Sequence, residues 1–434
     1  MSVNSLGEQG ESTYKLTKIT SLWLLIIFIF CSAWAHRYTI KTTKYRADIE
    51  FGKRNGCRPP AFVLSYKWPF GLDVVRRGFK AGRQGKLLAL FGWYFGQLGP
   101  TVELTILGGT GFATMDPENV ETLLSTGFDD FHLGRRNSAM KAMIGDGIFT
   151  QDGPAWKHSR ELLRRNFVRM QYQNLEGFRE HTENMIKALQ DSAGIVDLQP
   201  FFYRLTLDTT IAMILGQSVE SFRHELGDLF SRSFDRASSV TAQRLRLGDV
   251  YWAYVPKGCE VTSVLGDDKD ITRAHIQRMP YLHIVLKETL RLYPPVPLNT
   301  RFCKHVTVLP RGGGPDGLSP MLVREGMPVA YSVYHMQRRE DLYGPDAASF
   351  RPERWEGSEL VDIKWAYLPF NGGPRMCLGK DFGLMLASYG IARVIQTFPN
   401  LKLPPGEKWE DLGAERQHLT IVLSNADGCK VLLE

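Results

Sequence analysis

The chain has 434 residues, of which 43% are hydrophobic and 23% are charged, so it can bury a sizeable core and is neither disordered nor fibrous. Its net charge of +7 is a mild basic bias that suits an anionic membrane surface or an acidic protein partner and does not call for nucleic acid. The six cysteines are scattered without any C-x-x-C spacing, which argues against a disulfide scaffold or a zinc ribbon.

The amino end carries an uncharged apolar run at residues 19–35. Its 17 residues lie near the lower limit for a helix that spans a membrane. A cleaved signal peptide is the alternative, but the run is longer than a usual signal core. Trp34 and His36 also make a poor small-residue cleavage site. The run therefore favours a retained membrane anchor.

The charges that flank this run predict its orientation. Residues 1–18 have a net charge of zero, whereas residues 36–58 have a net charge of +5. The more positive flank stays on the cytoplasmic side of a membrane. We therefore predict an amino-terminal transmembrane anchor at residues 1–35, a basic and proline-containing linker at 36–60, and a cytosolic body at 61–434.

The body begins with a segment that predicts a β-hairpin. Residues 101–107 alternate as a strand, four residues with three glycines follow at 108–111, and 112–115 form a return strand. A glycine-rich phosphate loop is the alternative, but that motif needs a helix directly after the glycines and none begins there.

Helical patterns dominate the rest of the body, which is predicted to be mainly α with a minor β part. Short strands and turns occupy residues 307–331. The predicted helices cover residues 118–125, 156–168, 175–189, 205–215, 279–292 and 380–398.

The most informative segment, residues 370–379, presents a single cysteine, Cys377, immediately before a helix. The positive helix end and its backbone N–H groups favour a thiolate. A singly held thiolate, with glycines that allow a flat ligand to approach, suits an axial ligand of haem iron, and Arg375 could meet an anionic haem propionate. The alternative is a buried cysteine in a helix-capping loop.

This segment resembles the haem-binding signature F-x-x-G-x-R-x-C-x-G of the cytochrome P-450 family. Phe370, Gly373, Arg375, Cys377 and Gly379 fill its slots. The resemblance implies a cytochrome P-450-like fold and a haem b cofactor with Cys377 as the iron ligand.

A second set of matches resembles the structural network of the same family. Glu288 and Arg291 match E-x-x-R, and Arg354 lies in a P-E-R-W element that completes the network. E-x-x-R alone is not specific, because it recurs in places where an exposed ion pair on a helix is expected. These places are Glu161–Arg164, Glu176–Arg179 and Glu220–Arg223.

Further matches resemble the family's propionate-binding residues. Trp156 and Arg160 match W-x-x-x-R, and Arg301 lies in PVPLNTR, where the family often places another propionate partner. The alternatives are a plain core aromatic for Trp156 and a surface arginine for Arg301.

The resemblance implies a microsomal monooxygenase that inserts one oxygen atom from O2 into an apolar substrate. Its electrons would come from NADPH through a cytochrome reductase, and it would reside in the endoplasmic reticulum membrane. The amino-acid sequence at residues 288–301 and 334–355 is similar to that of the fungal alkane and fatty-acid hydroxylase branch. The neighbours of that branch include secondary-metabolite oxidases.

The chain departs from the family where an oxygen-activating helix is expected. Residues 245–276 lack its motif, and Pro256, Gly258 and Gly266 interrupt the stretch. We therefore assign no catalytic residue and predict that the body is shortened around 250–270. Two alternatives remain open: an inactive or truncated haem-binding relic, and a haem-thiolate isomerase or dehydratase that needs no proton relay.

Overall fold

The computed structural model describes residues 31–32, 38–39, 42–171, 175–192, 194–223, 279–398, 400–405 and 415–433. It divides the chain into two compact units, residues 1–58 and 59–434. In the first unit, residues 42–54 form a helix inside the segment predicted as a linker. The predicted anchor lies outside the described residues, except for positions 31–32. Among the described residues, no helix has the length and apolar character that crossing a bilayer requires.

The second unit opens with helices α1 (Leu72–Arg83) and α2 (Leu87–Leu98), followed by strands β1 (Thr101–Ile106) and β2 (Gly109–Thr114). The two strands pair antiparallel around a two-residue turn. Leu107 and Gly108 both have positive φ in this turn, as the tight hairpin turns that match strand twist require. The predicted hairpin is confirmed.

The hairpin belongs to a five-stranded sheet that also contains β3 (Phe131–His132), β5 (Leu298–Cys303) and β8 (Pro328–Ser332). The strand order is β1-β2-β8-β5-β3, in which only the β2–β8 pair is parallel. This sheet carries Arg301 on β5 and places it beside β8.

The described helices form the larger part of the fold. The helices that follow the hairpin are α3 (Pro117–Glu121), α4 (Arg136–Ile144), α5 (Gly153–Gln171), α6 (Glu176–Gln190), α7 (Leu198–Leu215), α8 (Pro280–Leu292), α9 (Val333–Met336), α10 (Glu340–Tyr343) and α11 (Lys380–Thr397). The remaining strands are β4 (Ile195–Asp197), β6 (Thr307–Gly313), β7 (Ser319–Val323), β9 (Gln417–Leu419), β10 (Leu423–Asn425) and β11 (Lys430–Leu432). The prediction of a mainly α protein with a minor β part is confirmed.

The apolar residues gather in separate clusters on the helical and the sheet side. On the helical side, Ile186 of α6, Leu205 of α7 and Tyr389 of α11 are buried together. On the sheet side, Leu124 and Val329 belong to a second cluster. Each cluster buries side chains that are distant in sequence, so α11 and the sheet are fixed independently on either side of the segment that contains Cys377.

Helix α7 is apolar around much of its circumference, a pattern typical of a helix that is covered on all sides. Its carboxyl-terminal turn is nevertheless open, since Leu215 is 72% exposed and Ile214 is also exposed. The missing motif at 245–276 predicts lost cover for the apolar surface of residues 201–215 and of the helix that follows Cys377, and this stays a prediction.

Candidate haem-binding site

Residues 370–379 form a loop, called the cysteine loop below, whose backbone contacts restrict which residue types fit it. The N–H of Cys377 donates to the carbonyl oxygen of Phe370 at 2.9 Å, across a short 3-10 turn at Gly373–Arg375. Gly373 has a φ of 62°, and a Cβ on it would lie 1.8 Å from the carbonyl oxygen of Leu124. Only glycine fits here, so the loop can approach the turn that follows α3 closely.

The surroundings of Cys377 do not favour its thiolate on balance. Desolvation has the largest effect and raises the pKa of the Cys377 thiol, while the N–H of Gly379 and the charge of Arg160 lower it only in part. The N–H at the start of α11 thus acts in the predicted direction on this exposed cysteine, but desolvation has the larger effect. A coordinated metal ion would deprotonate this thiol directly.

Helix α5 brings Trp156 and Arg160 to the cysteine loop. Trp156 is buried, and the guanidinium carbon of Arg375 lies 4.3 Å from the centroid of its ring. Nη2 of Arg160 donates to the carbonyl oxygen of Met376 at 2.7 Å. Nη2 of Arg375 donates to Oδ1 of Asp152 at 2.6 Å, an ion pair that no sequence pattern indicates.

Strand β5 contributes Arg301, which is only 3% exposed. The alternative that it is a surface arginine is wrong. Its Nη1 donates to Oδ1 of Asn299 at 3.2 Å and to the carbonyl oxygen of Thr300 at 3.0 Å. Its buried Nε finds no hydrogen-bond partner among the residues that the structure describes.

Arg136 is a cationic residue of this region that the sequence analysis missed. It opens α4, and its Nη2 also contacts Oδ1 of Asn299. Desolvation, and then the charge of Arg301, lower the pKa of Arg136 to about 10. Desolvation also lowers the pKa of Arg375 to about 10, with Asp152 opposing this shift and Arg301 adding to it.

These observations test whether the residues fit a haem. The charges of Arg301 and Arg375 lower the pKa of Arg136, the charge of Arg301 lowers the pKa of Arg375, and Asp152 hydrogen-bonds Arg375. A buried unpartnered N–H beside surplus cations is suited to an added carboxylate. The two propionates of haem supply such groups, so the donor set fits the cofactor.

A cleft of about 500 Å³ opens beside the cysteine loop. Cys377, Trp156 and Phe167 line it. Four cationic residues also line it, namely Lys157, Arg160, Arg164 and Lys380, against the two acidic residues Glu161 and Asp381. The cleft therefore has a positive charge balance.

A separate buried network joins the three residues predicted to have a structural role. Glu288 and Arg291 are fully buried and form two parallel hydrogen bonds of 2.8 Å. Nε of Arg354 donates to Oε1 of Glu288 at 2.9 Å. Trp355 and the backbone N–H of Arg351 also donate to this carboxylate.

The Glu288 network satisfies its charges within the chain. Burial alone would raise the pKa of Glu288, but hydrogen bonds from Arg291, the N–H of Arg351 and Trp355 outweigh it and lower the pKa. Arg291 also donates to three backbone carbonyls, those of Gln337, Ala347 and Ser349. By contrast, Glu161–Arg164 is an exposed pair at 3.5 Å, as expected for an E-x-x-R on a helix surface.

The family model described as Cytochrome P450 matches residues 68–257 and 259–425 of this chain. The chain therefore belongs to the cytochrome P450 family, whose members are oxidoreductases of the monooxygenase class and bind haem iron through a cysteine thiolate. The predicted family and cofactor are confirmed.

Curated fungal proteins are similar over most of the chain. A "Cytochrome P450" of Arthroderma benhamiae is 35% identical over 490 positions, which cover 90% of this chain and 94% of that protein. Cytochrome P450 52A5 of Candida maltosa is 33% identical, covering 75% and 81% respectively. Cytochrome P450 monooxygenase himC of Aspergillus japonicus is 31% identical, covering 91% and 88%.

The alignments with the Arthroderma and Aspergillus proteins are longer than the chain itself. The alignment with the Arthroderma protein has 490 positions, whereas this chain has 434 residues and uses 90% of them. The relative therefore carries several tens of positions that have no counterpart here. The family match divides at residue 258, inside the stretch where the sequence lacks the oxygen-activating motif.

Proposed function

We propose that this chain is a haem-thiolate monooxygenase in which Cys377 is the iron ligand. The observation that carries the proposal is the loop at residues 370–379, with one cysteine before α11 and a Gly373 that no larger residue can replace. When bound, haem activates O2 and transfers one oxygen atom to a C–H bond of the substrate. The protein's part is to hold the cofactor, orient it and exclude water.

The cofactor would be held at its two ends by different groups. Cys377 would bind the iron, with Phe370 and Gly379 shaping the loop. The buried Trp156 and the cations Arg160, Arg301 and Arg375 would hold the propionates, as charge-assisted hydrogen bonds to carboxylates are the strong ones.

Electrons would come from NADPH through a cytochrome reductase with an acidic surface. The cleft beside Cys377 supports this partner, since it is lined by four cationic and two acidic residues. Opposite charge on a partner speeds encounter and fixes orientation. Arg160 lies both at this cleft and against the backbone of Met376, next to the proposed iron ligand.

The proposed substrate is a long apolar chain such as a fatty acid or an alkane, or else an intermediate of secondary metabolism. This proposal is supported by the amino-acid sequence of residues 288–301 and 334–355, which is similar to that of the fungal alkane and fatty-acid hydroxylase branch. Residues 1–35 would anchor the chain in the endoplasmic reticulum membrane with the body in the cytosol. The apolar run and the charge asymmetry around it support this location.

A second candidate is a haem-binding relic that does not hydroxylate efficiently, or an isomerase or dehydratase. The alignment that exceeds the chain in length and the exposed end of α7 favour it. A body shortened around 250–270 would lose a wall of the haem pocket. Water would then reach the cofactor, and reduced oxygen would leak instead of entering substrate.

The test of the haem ligand is the carbon monoxide difference spectrum of the reduced protein. The wild-type protein is expected to give the thiolate-type spectrum, and Cys377→Ala is expected to lose it. Cys429→Ala is the matched control, because Cys429 is also an exposed cysteine and follows α11 in the sequence. A thiolate-type spectrum that survives in Cys377→Ala would refute the assignment.

The two candidate functions differ in coupling, the amount of product formed per NADPH consumed with a reconstituted reductase. A monooxygenase with a closed pocket couples efficiently, whereas the relic consumes NADPH and releases reduced oxygen. A chimera that carries the additional segment of a longer relative after residue 257 is the control. Coupling that rises strongly in the chimera supports the shortened-pocket candidate, and equal coupling in both proteins opposes it.

A further inference from the structure

Asn299 holds two arginines that come from different parts of the chain. Its Oδ1 accepts from Nη1 of Arg301, two positions further along β5, at 3.2 Å. The same oxygen accepts from Nη2 of Arg136, at the start of α4, and from the backbone N–H of Thr300 at 2.9 Å. Residues two apart on a strand share a face, so Asn299 and Arg301 approach Arg136 together.

This arrangement is electrostatically unfavourable by itself. Two guanidinium groups that share one neutral acceptor repel each other, and the charge of Arg301 lowers the pKa of Arg136. Arg136 also stands at the first position of a helix, where the helix dipole disfavours a cation. Within the described residues, no carboxylate oxygen hydrogen-bonds either guanidinium. The charge of Asp152 raises the pKa of Arg136 only in part, and its hydrogen bond goes to Arg375 instead.

The buried Nε of Arg301 indicates where the anion belongs. Arg301 is 3% exposed and its Nε has no hydrogen-bond partner in the described part of the chain, although an unsatisfied buried donor is costly. A carboxylate that reached this nitrogen would satisfy the unpaired donor and would offset the repulsion between the two guanidinium groups.

We propose that Asn299 is a positioning residue that holds Arg136 and Arg301 side by side, so that their combined positive charge would bind a carboxylate of the haem. This inference rests on the proposed function. The amide is suited to the task because it fixes both cations without neutralising them. An aspartate in its place would fix them as firmly but would compete with the haem carboxylate for the same donors.

The experiment uses Asn299→Asp loaded either with haem b or with the dimethyl ester of haem, which has no carboxylate charge. Haem loss is followed by transfer to an excess of a haem acceptor protein. The variant is expected to lose haem b at least about tenfold faster than the wild type, a change of about 1.4 kcal/mol. Its loss of the dimethyl ester is expected to stay within about twofold of the wild type, because the charge competition is absent there.

The matched control is Asn425→Asp, which makes the same change of charge at an exposed asparagine on β10. It is expected to release both haems at the wild-type rate. Equal effects of Asn299→Asp on haem b and its ester, or no effect on either, would overturn the inference. A wild-type protein that binds haem b without a thiolate-type spectrum would instead overturn the proposed function, before any Asn299 variant is measured.

Discussion

Two buried groups of arginines in this chain differ in whether their charges are matched. Around Glu288, the guanidinium groups of Arg291 and Arg354 donate to one carboxylate and to several backbone carbonyls. Around Asn299, the guanidinium groups of Arg136 and Arg301 share a neutral oxygen, and the Nε of Arg301 has no hydrogen-bond partner.

The difference teaches how a structural role can be separated from a ligand-binding role. A buried charge is tolerated when the fold itself supplies its partners, and removing one partner then costs folding stability. A buried cation that the fold leaves unmatched destabilises the protein alone and is compensated only when an anion binds. The first kind of group should act on unfolding, and the second kind should act on haem retention.

The largest effect is expected from Arg354→Ala, which removes one cation from the carboxylate of Glu288. Such a change leaves a buried charge only partly compensated, and we expect the free energy of unfolding to fall by about 3–5 kcal/mol. Urea denaturation followed by tryptophan fluorescence measures it.

The control for this prediction is Arg164→Ala, which breaks the exposed pair with Glu161. It should cost less than about 1 kcal/mol. If both variants lost the same free energy of unfolding, burial of the Glu288 network would not be what makes it important.

Arg375→Ala tests an intermediate case, because Arg375 pairs with Asp152 and stacks on Trp156. We expect a loss of about 1–3 kcal/mol in the free energy of unfolding, typical of a hydrogen bond between charged groups, together with faster haem loss. Arg416→Ala, at an exposed pair with Asp427, is the control and should change neither quantity appreciably. If Arg375→Ala were as stable as the wild type and retained haem equally well, Arg375 would be needed neither for folding stability nor for haem retention.

The decrease in the free energy of unfolding at acidic pH should depend on Glu288. Its hydrogen bonds hold its pKa below the ordinary value of 4.5, so its ionised form stabilises the folded state above that value. This contribution should disappear as the pH falls from 4.5 through the lower folded pKa. Glu288→Gln should be less stable at neutral pH and should lose less stability on acidification. Parallel pH profiles for the two proteins would contradict this account.

Local sequence patterns predicted the hairpin and the residue pairs that lie within one short motif. The glycines at 108–111 predicted the hairpin, but its turn lies at Leu107–Gly108 because strand pairing continues to Gly109. The sequence interval between Glu288 and Arg291 places them on one helix face. Helices α1, α2 and α4 were missed, although the apolar positions of α1 recur at helical spacing.

The remaining site contacts depend on tertiary structure. Asp152 meets Arg375 only because α5 packs beside the cysteine loop, and Arg136 meets Asn299 only because α4 begins next to β5. Neither contact has a sequence interval that a local pattern could reveal. At Cys377, the helix end that lowers the pKa of the thiol is visible in the sequence, whereas the desolvation that raises this pKa is not.

The most direct measurement compares thermal unfolding of the haem-free and haem-loaded forms of Arg301→Leu with those of the wild type. Arg301 belongs to the unmatched group, so the haem-free variant should melt within a few degrees of the wild type, a shift of about 1 kcal/mol or less. The additional stability that haem confers should fall, because a ligand stabilises the folded state in proportion to its affinity. A haem-free variant that loses as much stability as the loaded one would contradict the claim that this arginine group is completed by the cofactor.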